Sequence, residues 1–346
     1  MTDGLWRTGC CMKSLRKNKI AFIYLTAASL PVLALVSGIL VGASGYALPD
    51  MLSAVFRGEL DAPEARVLLY VRLPRVLAGL LCGMALSVAG AVTQGVLANG
   101  LASPSIIGVN SGAALAVTLC AAFGVIGGWR LALFSALGAF LAVTLVSIGA
   151  KRWGASRGVV VLMGVALNAL LGAASDAVIA FFPDAALISR DFMLGDLSSV
   201  TYARLIPASA AILIAFALLM TLSCELDLLS LGDESARGLG LNTGAVRAVL
   251  LLLAALLAGS AVSVCGLISF VGLLVPHAVR RTAGSLSRHL LPLSALVGAG
   301  LVSLSDTLAR VILSPYELPV GVIMAFIGAP VFVFILIKGR QGEALD

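Results

Sequence analysis

The sequence predicts an all-α polytopic membrane protein: ten transmembrane helices arranged as an inverted internal repeat. Three observations predict it. Of the 346 residues, 60% are hydrophobic and only 12% charged, too little charge to cover a soluble domain of that length. There are 37 glycines, and small residues are what let helices approach closely in lipid. Uncharged runs of spanning length recur along the chain, and a bilayer crossing needs about 20 apolar residues.

The elements follow in order. Residues 1–19 are a basic N-terminal arm that includes Cys10 and Cys11. Residues 20–48 carry no charge, are too long for a signal-peptide core, and form span 1. Pro49 and Asp50 end it. Residues 50–75 are polar, with Asp50, Glu59, Asp61 and Glu64, and have room for a short surface helix. Residues 76–129 are uncharged but too long for one helix. The stretch NGLASPS (99–105) is a turn signal that divides them into spans 2 and 3. Span 4 covers 131–150 and is followed by the basic loop KRWGASRG (151–158). Span 5 covers 159–182, a polar connection fills 182–204, and span 6 covers 205–224.

Residues 225–247 read as soluble. Residues 248–279 are again uncharged, and one helix of that length would measure about 48 Å, too long for a single crossing. Gly266 and Pro276 interrupt the run, so it reads as spans 7 and 8, joined near Cys265 and Gly266. Span 9 opens at 290 and ends near Arg310. Span 10 covers 318–337 with a kink expected at Pro330. The domain is thus a single membrane unit, 20–338, with a tail at 339–346.

Basic residues mark orientation. Of the 23 Lys and Arg, ten spans put fifteen on the side of both termini and eight on the other. Both termini are therefore expected in the cytoplasm. Reading 248–279 as one span would move Arg280, Arg281 and Arg288 outside, against the rule. The net charge of +6 is accounted for by these loops, and no aromatic-interleaved basic patch suggests nucleic acid.

The repeat lies in LLCGMALSVAGAVTQ (80–94) and LLAGSAVSVCGLISF (256–270). Seven of fifteen positions are identical, among them Gly83/Gly259, Ser87/Ser263 and Gly90/Gly266. In a ten-span topology the two copies run in opposite directions, an arrangement typical of transporters.

Candidate chemistry is sparse. Asp176 falls near the outer end of span 5 and reads as an interfacial carboxylate. Asp306 stands four residues before Arg310, a helical i,i+4 pair, and is expected to orient that arginine. The chain has no GxxxxGK[ST] and so no such phosphate cradle. Cys82, Cys120, Cys224 and Cys265 lie in apolar runs and read as small hydrophobes. No metal-ligand spacing is present. GASG (42–45) resembles an intramembrane serine protease motif. However, Ser44 belongs near the outer face, and the only histidines, His277 and His289, belong near the inner one. In 229–244, Leu229, Asp233, Glu234, Arg237 and Leu239 suit a short amphipathic helix ended by Gly238 or Gly240. It serves either as a partner-docking helix or as an ordinary interfacial one.

The chain resembles the FecCD-type permeases, membrane subunits of ATP-binding-cassette importers for ferric siderophores, haem and cobalamin. The stretches that carry the resemblance are RLPR (72–75), QGVLANGLASPSIIGVNSGAA (94–114), LSLGDESARGLG (229–240), GLISFVGLLVPHAVR (266–280) and ELPVGVIMAFIGAPVF (317–332). One departure is NGLASP, with Gly100 and Ser103 where the family reads Pro and Asp. The resemblance implies a type II importer permease in a bacterial or archaeal plasma membrane. It would be a homodimer, or a heterodimer with a close paralogue, with its pathway at the dimer axis, lined largely by span 5. Two ATP-binding subunits and one extracytoplasmic substrate-binding protein complete the complex. The chain itself would bind no cofactor, and ATP and Mg would sit on the partner subunit.

By residue, the resemblance implies binding-protein docking by Arg72, Arg75 and Arg310, and a cytoplasmic constriction at Asn99 and Leu101. It implies ATPase coupling through Leu231, Gly232, Asp233, Glu234, Ser235, Ala236, Arg237 and Gly238. The alternatives are an ion-coupled secondary transporter working without an ATPase, and an intramembrane hydrolase using Ser44.

Overall fold

The computed structural model describes residues 3–42, 46–125, 127–152, 156–313 and 316–343. It is helical throughout these segments. The order is α1 (Asp3–Leu40), α2 (Leu48–Phe56), α3 (Pro63–Arg66), α4 (Leu73–Leu97), α5 (Val109–Ala122), α6 (Gly128–Arg152), α7 (Arg157–Phe181) and α8 (Ala185–Leu194). It continues with α9 (Tyr202–Thr221), α10 (Ser223–Ser230), α11 (Asp233–Gly238), α12 (Thr243–Cys265), α13 (Val271–Ala283), α14 (Ser287–Ile312) and α15 (Val320–Glu343). Seven helical stretches are long and apolar enough to span: Ile20–Leu40, Pro63–Leu97, Gly128–Ala150, Arg157–Phe181, Tyr202–Thr221, Thr243–Cys265 and Ser287–Ile312. Two shorter apolar helices add to these, α5 and Val320–Ile335 of α15, and the thirteen-residue α13 stands where the sequence places span 8.

The short members explain the long uncharged runs. α13 has 13 residues, about 20 Å at 1.5 Å per residue, less than a full crossing. Gly266, at φ 67°, ends α12, and residues 266–270 cover the remaining depth as irregular chain. Gly266 and Ile268 are buried in protein, and Leu267 N–H donates to Phe192 O at 3.0 Å. Non-helical backbone at that depth is tolerated only when protein satisfies it. The entry to α5 is similar: a 3₁₀ turn over Pro104–Ile107 and Gly108 at φ 97° precede its 14 residues.

The inverted repeat is visible in the packing. α4 packs on α14 and α13, and α12 packs on α6 and α5, the exchange of neighbours that an inverted repeat requires. Spans 3 and 8, which correspond in the two halves, are the two entered through irregular chain. The copies diverge at their last identity. Gly90 sits inside α4, where an added Cβ would collide with the Gly272 backbone of α13. Gly266, its counterpart, terminates α12.

α4 and α12 are the most enclosed spans, with 78% and 72% of their apolar windows buried, against 17% for α7 and 11% for α1. Glycines set the closest contacts. A Cβ at Gly83 would strike Gly298 O of α14. Helix ends follow local chemistry. Ser156 caps α7 by accepting from Val159 N–H, and Asn242 caps α12 by accepting from Ala245 N–H. The polar loop 50–75 holds α2, as expected, and α3. A π-helical turn over Val67–Arg72 leads into α4. It stands just before Pro74, whose ring cannot fit a regular α-turn against the residue-70 carbonyl.

Candidate functional site

Alternation of the ten spans gives the molecule two ends. One, the rim face, gathers residues 41–42, α2, α3, the start of α4, α8 and the end of α14. The other, the loop face, gathers the 98–103 turn, α10, α11 and the start of α14. The residues singled out in the sequence fall at these two ends.

On the rim face Arg72, Arg75 and Arg310 come together, although 238 positions separate the first from the last. The resemblance implies docking by these three, and Asp306 was expected to orient Arg310. They are only 3%, 5% and 3% exposed. Arg75 makes a forked contact with Asp306, Nε to Oδ2 at 3.0 Å and Nη2 to Oδ1 at 2.9 Å, and Nη1 donates to Glu317 Oε2 at 2.6 Å. Arg310 Nη2 lies 3.2 Å from Asp306 Oδ2, the pairing its i,i+4 spacing foretold. Its Nη1 donates to Val41 O at 2.9 Å and Gly38 O at 3.1 Å. Arg72 donates to Ile39 O at 2.7 Å and Tyr46 O at 3.3 Å. The physical reason is the low polarity around the helix ends. A guanidinium there gains more from carbonyls and carboxylates than from partial exposure.

Burial does not close the cluster off. Arg72, Arg75 and Arg310 line a cavity of about 240 Å³ together with Gly42, Val67, Val71 and Glu317. Of the carboxylates only Glu317 lines it, with Asp306 behind Arg75 and Arg310, so these five side chains together carry a formal charge of one positive unit. Asp306 as a bridge to Arg75, and Glu317 as its second partner, were missed from sequence. The available signal was that Asp306 is a carboxylate within an otherwise apolar span, about one turn from its end, which is costly unless paired.

On the loop face, Asn99 and Leu101 sit in the exposed turn after α4. Ala98 takes the left-handed conformation at φ 46°, and Asn99 N–H returns to Gln94 O at 3.1 Å. Asn99 Oδ1 then accepts from Leu101 N–H at 2.9 Å, so the turn is held by its own side chain and Leu101 projects outward. Ser103 and Ser105 share a hydrogen bond of 2.6 Å, which ties down the stretch where the sequence departs from the family.

α11 is the short helix expected within 229–244. Gly232 at φ 110° starts it, and Gly240 at φ 84° closes it with Leu241 N–H returning to Ala236 O at 3.0 Å. Ala236 is its buried contact. Leu231, Glu234, Ser235, Arg237, Gly238 and Leu239 are exposed. Asp233 is its anchor: Oδ1 lies 2.6 Å from Arg247 Nη2 of α12 and 3.5 Å from Arg157 Nη2 of α7. Arg157 also donates to Leu229 O at 2.6 Å. Burial by itself would raise the Asp233 carboxyl, but the hydrogen bond and charge of Arg247, with Arg157 and Arg237 behind it, hold it below its usual range. Both arginine partners were counted in the sequence only as orientation charges.

The remaining singled-out residues scatter. Asp176 is exposed on α7. His289 lies on the first turn of α14, its Nδ1 3.2 Å from Tyr24 Oη, and His277 is part-buried in α13. Ser44 lies outside the described residues, while neighbouring Gly42 packs on Arg72 at the rim face, the far end from His289. Cys82 and Cys265 are buried beside one another, both within reach of Ala261 O at 3.5 Å and 3.1 Å, a pairing that separate apolar runs did not suggest. Among the described residues no group of His, Cys, Asp or Glu is placed to hold a metal ion.

An all-helical membrane domain with broken third and eighth spans, inverted halves and a charged cluster at one end defines a transport permease. Residues 30–338 match the model of the FecCD transport family, and the chain belongs to that family. It is 41% identical over 281 residues to the hemin transport system permease protein HmuU of Yersinia pestis, covering 79% of this chain and 84% of that one. It is 37% identical over 327 residues to the Fe(3+)-citrate import system permease protein YfmE of Bacillus subtilis, covering 94% and 97%. Among solved structures, a metal-chelate type ABC transporter in an inward-facing conformation superposes with a TM-score of 0.80 at 29% identity, covering 92% of this chain and 99% of that one.

Proposed function

We propose that two copies of this permease form the pathway of an ATP-driven importer for a metal chelate of the ferric siderophore, ferric citrate, haem or cobalamin type. The relatives named for hemin and ferric citrate support that cargo range. The loop face is cytoplasmic, in agreement with the charge distribution, and seats a separate ATP- and Mg-binding subunit on each copy. The rim face receives an extracytoplasmic binding protein.

The observation that carries this reading is the anchoring of α11. Its outer surface offers Leu231, Glu234, Arg237 and Leu239 to a partner, while Asp233 ties the same helix to α7 and α12 at once. A push on α11 is therefore passed to the helix its own chain buries least among the long internal spans, α7, which suits a place at the dimer axis. The pathway opens and closes by movement at that axis, and no group inside this chain has to react.

At the rim face, the residual positive charge of the arginine cavity suits a carboxylate from the binding protein, because guanidinium pairs carboxylate in a planar fork. Docking through Arg72, Arg75 and Arg310 is retained as a proposal in that form: a carboxylate enters the cavity, with no need for protruding arginines. An ion-coupled carrier is less well supported. Asp306, the buried carboxylate, lies between two guanidiniums and is poorly suited to cycling a proton.

The test is reconstitution in liposomes with the ATPase and binding protein. Arg237→Glu combined with Gly238→Pro should leave the dimer folded and reduce substrate-stimulated ATP hydrolysis at least about tenfold, the scale of a lost interfacial charge pair. Full stimulation in that variant, or uptake by the permease without an ATPase, would remove the coupling assignment.

A further inference from the structure

A larger cavity, about 550 Å³, lies on the same rim face, between α8 and the rim ends of α6, α9 and α12, and shares no lining residue with the arginine cavity. Four polar side chains line it in an unusual state. Arg204, three residues into α9, is part-buried and makes no ion pair or hydrogen bond among the described residues. Its guanidinium has room because residue 127 is glycine: a Cβ there would sit 3.1 Å from Arg204 Nη2. Ser135 of α6 is 1% exposed and its Oγ has no partner. Asp191 of α8, exposed at the mouth, has no basic partner among the described residues. Asp196, just beyond α8, accepts only from Ser198, with the backbone N–H at 3.1 Å.

A guanidinium left without a carboxylate calls for an oxyanion, and a buried hydroxyl in the same lining can donate to such a group. Two carboxylates without a basic partner call for a cation. A plain anion would meet Asp191 and Asp196, and a plain cation would meet Arg204. A ligand carrying both charges satisfies the whole lining. The height of the site narrows the choice. Arg204 lies in the first turn of α9, Ser135 in the second or third turn of α6, and Gly266 just past α12. The cavity is thus at the level where spans leave the hydrocarbon and lipid headgroups lie. Leu187 and Leu194, both exposed, join its lining from α8, and they give acyl chains an apolar surface.

We propose that this cavity holds the headgroup of a phosphoethanolamine-type phospholipid, its phosphate on Arg204 and Ser135 and its ammonium toward Asp191 and Asp196. The site is independent of the cargo and of ATP coupling, and its failure would leave both untouched.

The test is native mass spectrometry of the purified full-length permease in mild detergent. Palmitoyl-oleoyl phosphatidylethanolamine, the matching phosphatidylglycerol, and soluble O-phosphoethanolamine are added separately and in competition. Phosphatidylethanolamine should be retained at least about tenfold over phosphatidylglycerol, a difference of about 1.4 kcal/mol. Arg204→Gln should erase that preference, Arg204→Lys should keep part of it, and Ser135→Ala should weaken retention several-fold. Melting temperature serves as the folding control. If Arg204→Gln does not fold, Ser135→Ala and Arg204→Lys decide the matter. Equal retention of the two lipids, or retention unchanged in the foldable variants, overturns the proposal. Displacement of the lipid by O-phosphoethanolamine at equal concentration would also overturn it, by assigning the cavity to a soluble phosphate ester.

Discussion

Asp306 shows how a single charge can organise one end of a membrane protein. It is 2% exposed and touches Arg75 and Arg310. Removing it leaves Arg310 buried without a carboxylate and Arg75 with Glu317 alone, which costs more than the pairing contributes when intact. Asp306→Ala should therefore lower stability by about 3–5 kcal/mol, read as a large drop in melting temperature in detergent. A drop no larger than that of a surface control would show that the cluster is hydrated. Glu317 is different, since 30% of its side chain is exposed at the cavity wall. Glu317→Gln removes a carboxylate that competes with the incoming one, so binding-protein affinity at low salt should rise several-fold by the logic of rim electrostatics. Weaker or unchanged affinity would count against docking in that cavity. Asp233 carries a depressed pKa, so its stabilising charge is present above the ordinary carboxylate value of about 3.8 and is lost only as pH falls below it. The ratio of stimulated to basal ATP hydrolysis should thus be insensitive to Asp233 between about pH 6 and 8. Asp233→Asn should lower that ratio at every pH in the range while shifting stability by only about 1 kcal/mol, because the carboxylate is partly solvated. A stimulated rate equal to that of the unaltered chain would detach the clamp from coupling.

At the scale of elements, contact geometry matters more than composition. α4 and α13 meet backbone to backbone at Gly90 and Gly272, so Gly90→Val must push the helices apart. The expected cost is about 1–3 kcal/mol, measurable by thermal unfolding, whereas Gly172→Ala on α7, with open space at that Cβ, should be neutral or slightly stabilising. Similar losses for both would mean that α7 is as closely packed as α4. Most elements were legible in the sequence because charge marks where a span stops. The connections at 50–75 and 225–247 were found this way, and α11 fell where its glycines placed it. The two broken spans were legible only as runs too long for one helix. Their irregular entries depend on backbone partners such as Phe192 O, which are remote in sequence and carry no local signature.

The whole molecule leaves α7 largely uncovered by its own chain, with Leu162, Val165 and Leu170 exposed. In the proposed dimer a second copy meets α7 at the axis, which gives a direct test. Leu170→Cys, in a chain lacking Cys10, Cys11 and Cys224, should cross-link between copies in the membrane with a short bismaleimide. Absence of any dimer band, with the cysteine shown to be reactive, would move α7 away from the axis.

The sequence alone determined the membrane class, the number of crossings, the inverted relation of residues 80–94 to 256–270, and the family. These depend on how apolar stretches and charges are spaced along one dimension, which a bilayer reads directly. Tertiary structure alone decided that Arg75 joins Asp306 while Arg72 turns to the carbonyls after α1, that Asp233 clamps α11 to two spans, and that Arg204 and Ser135 share a cavity without partners. Each joins residues far apart in the chain, and only the packing of helices brings such charges within a few ångströms.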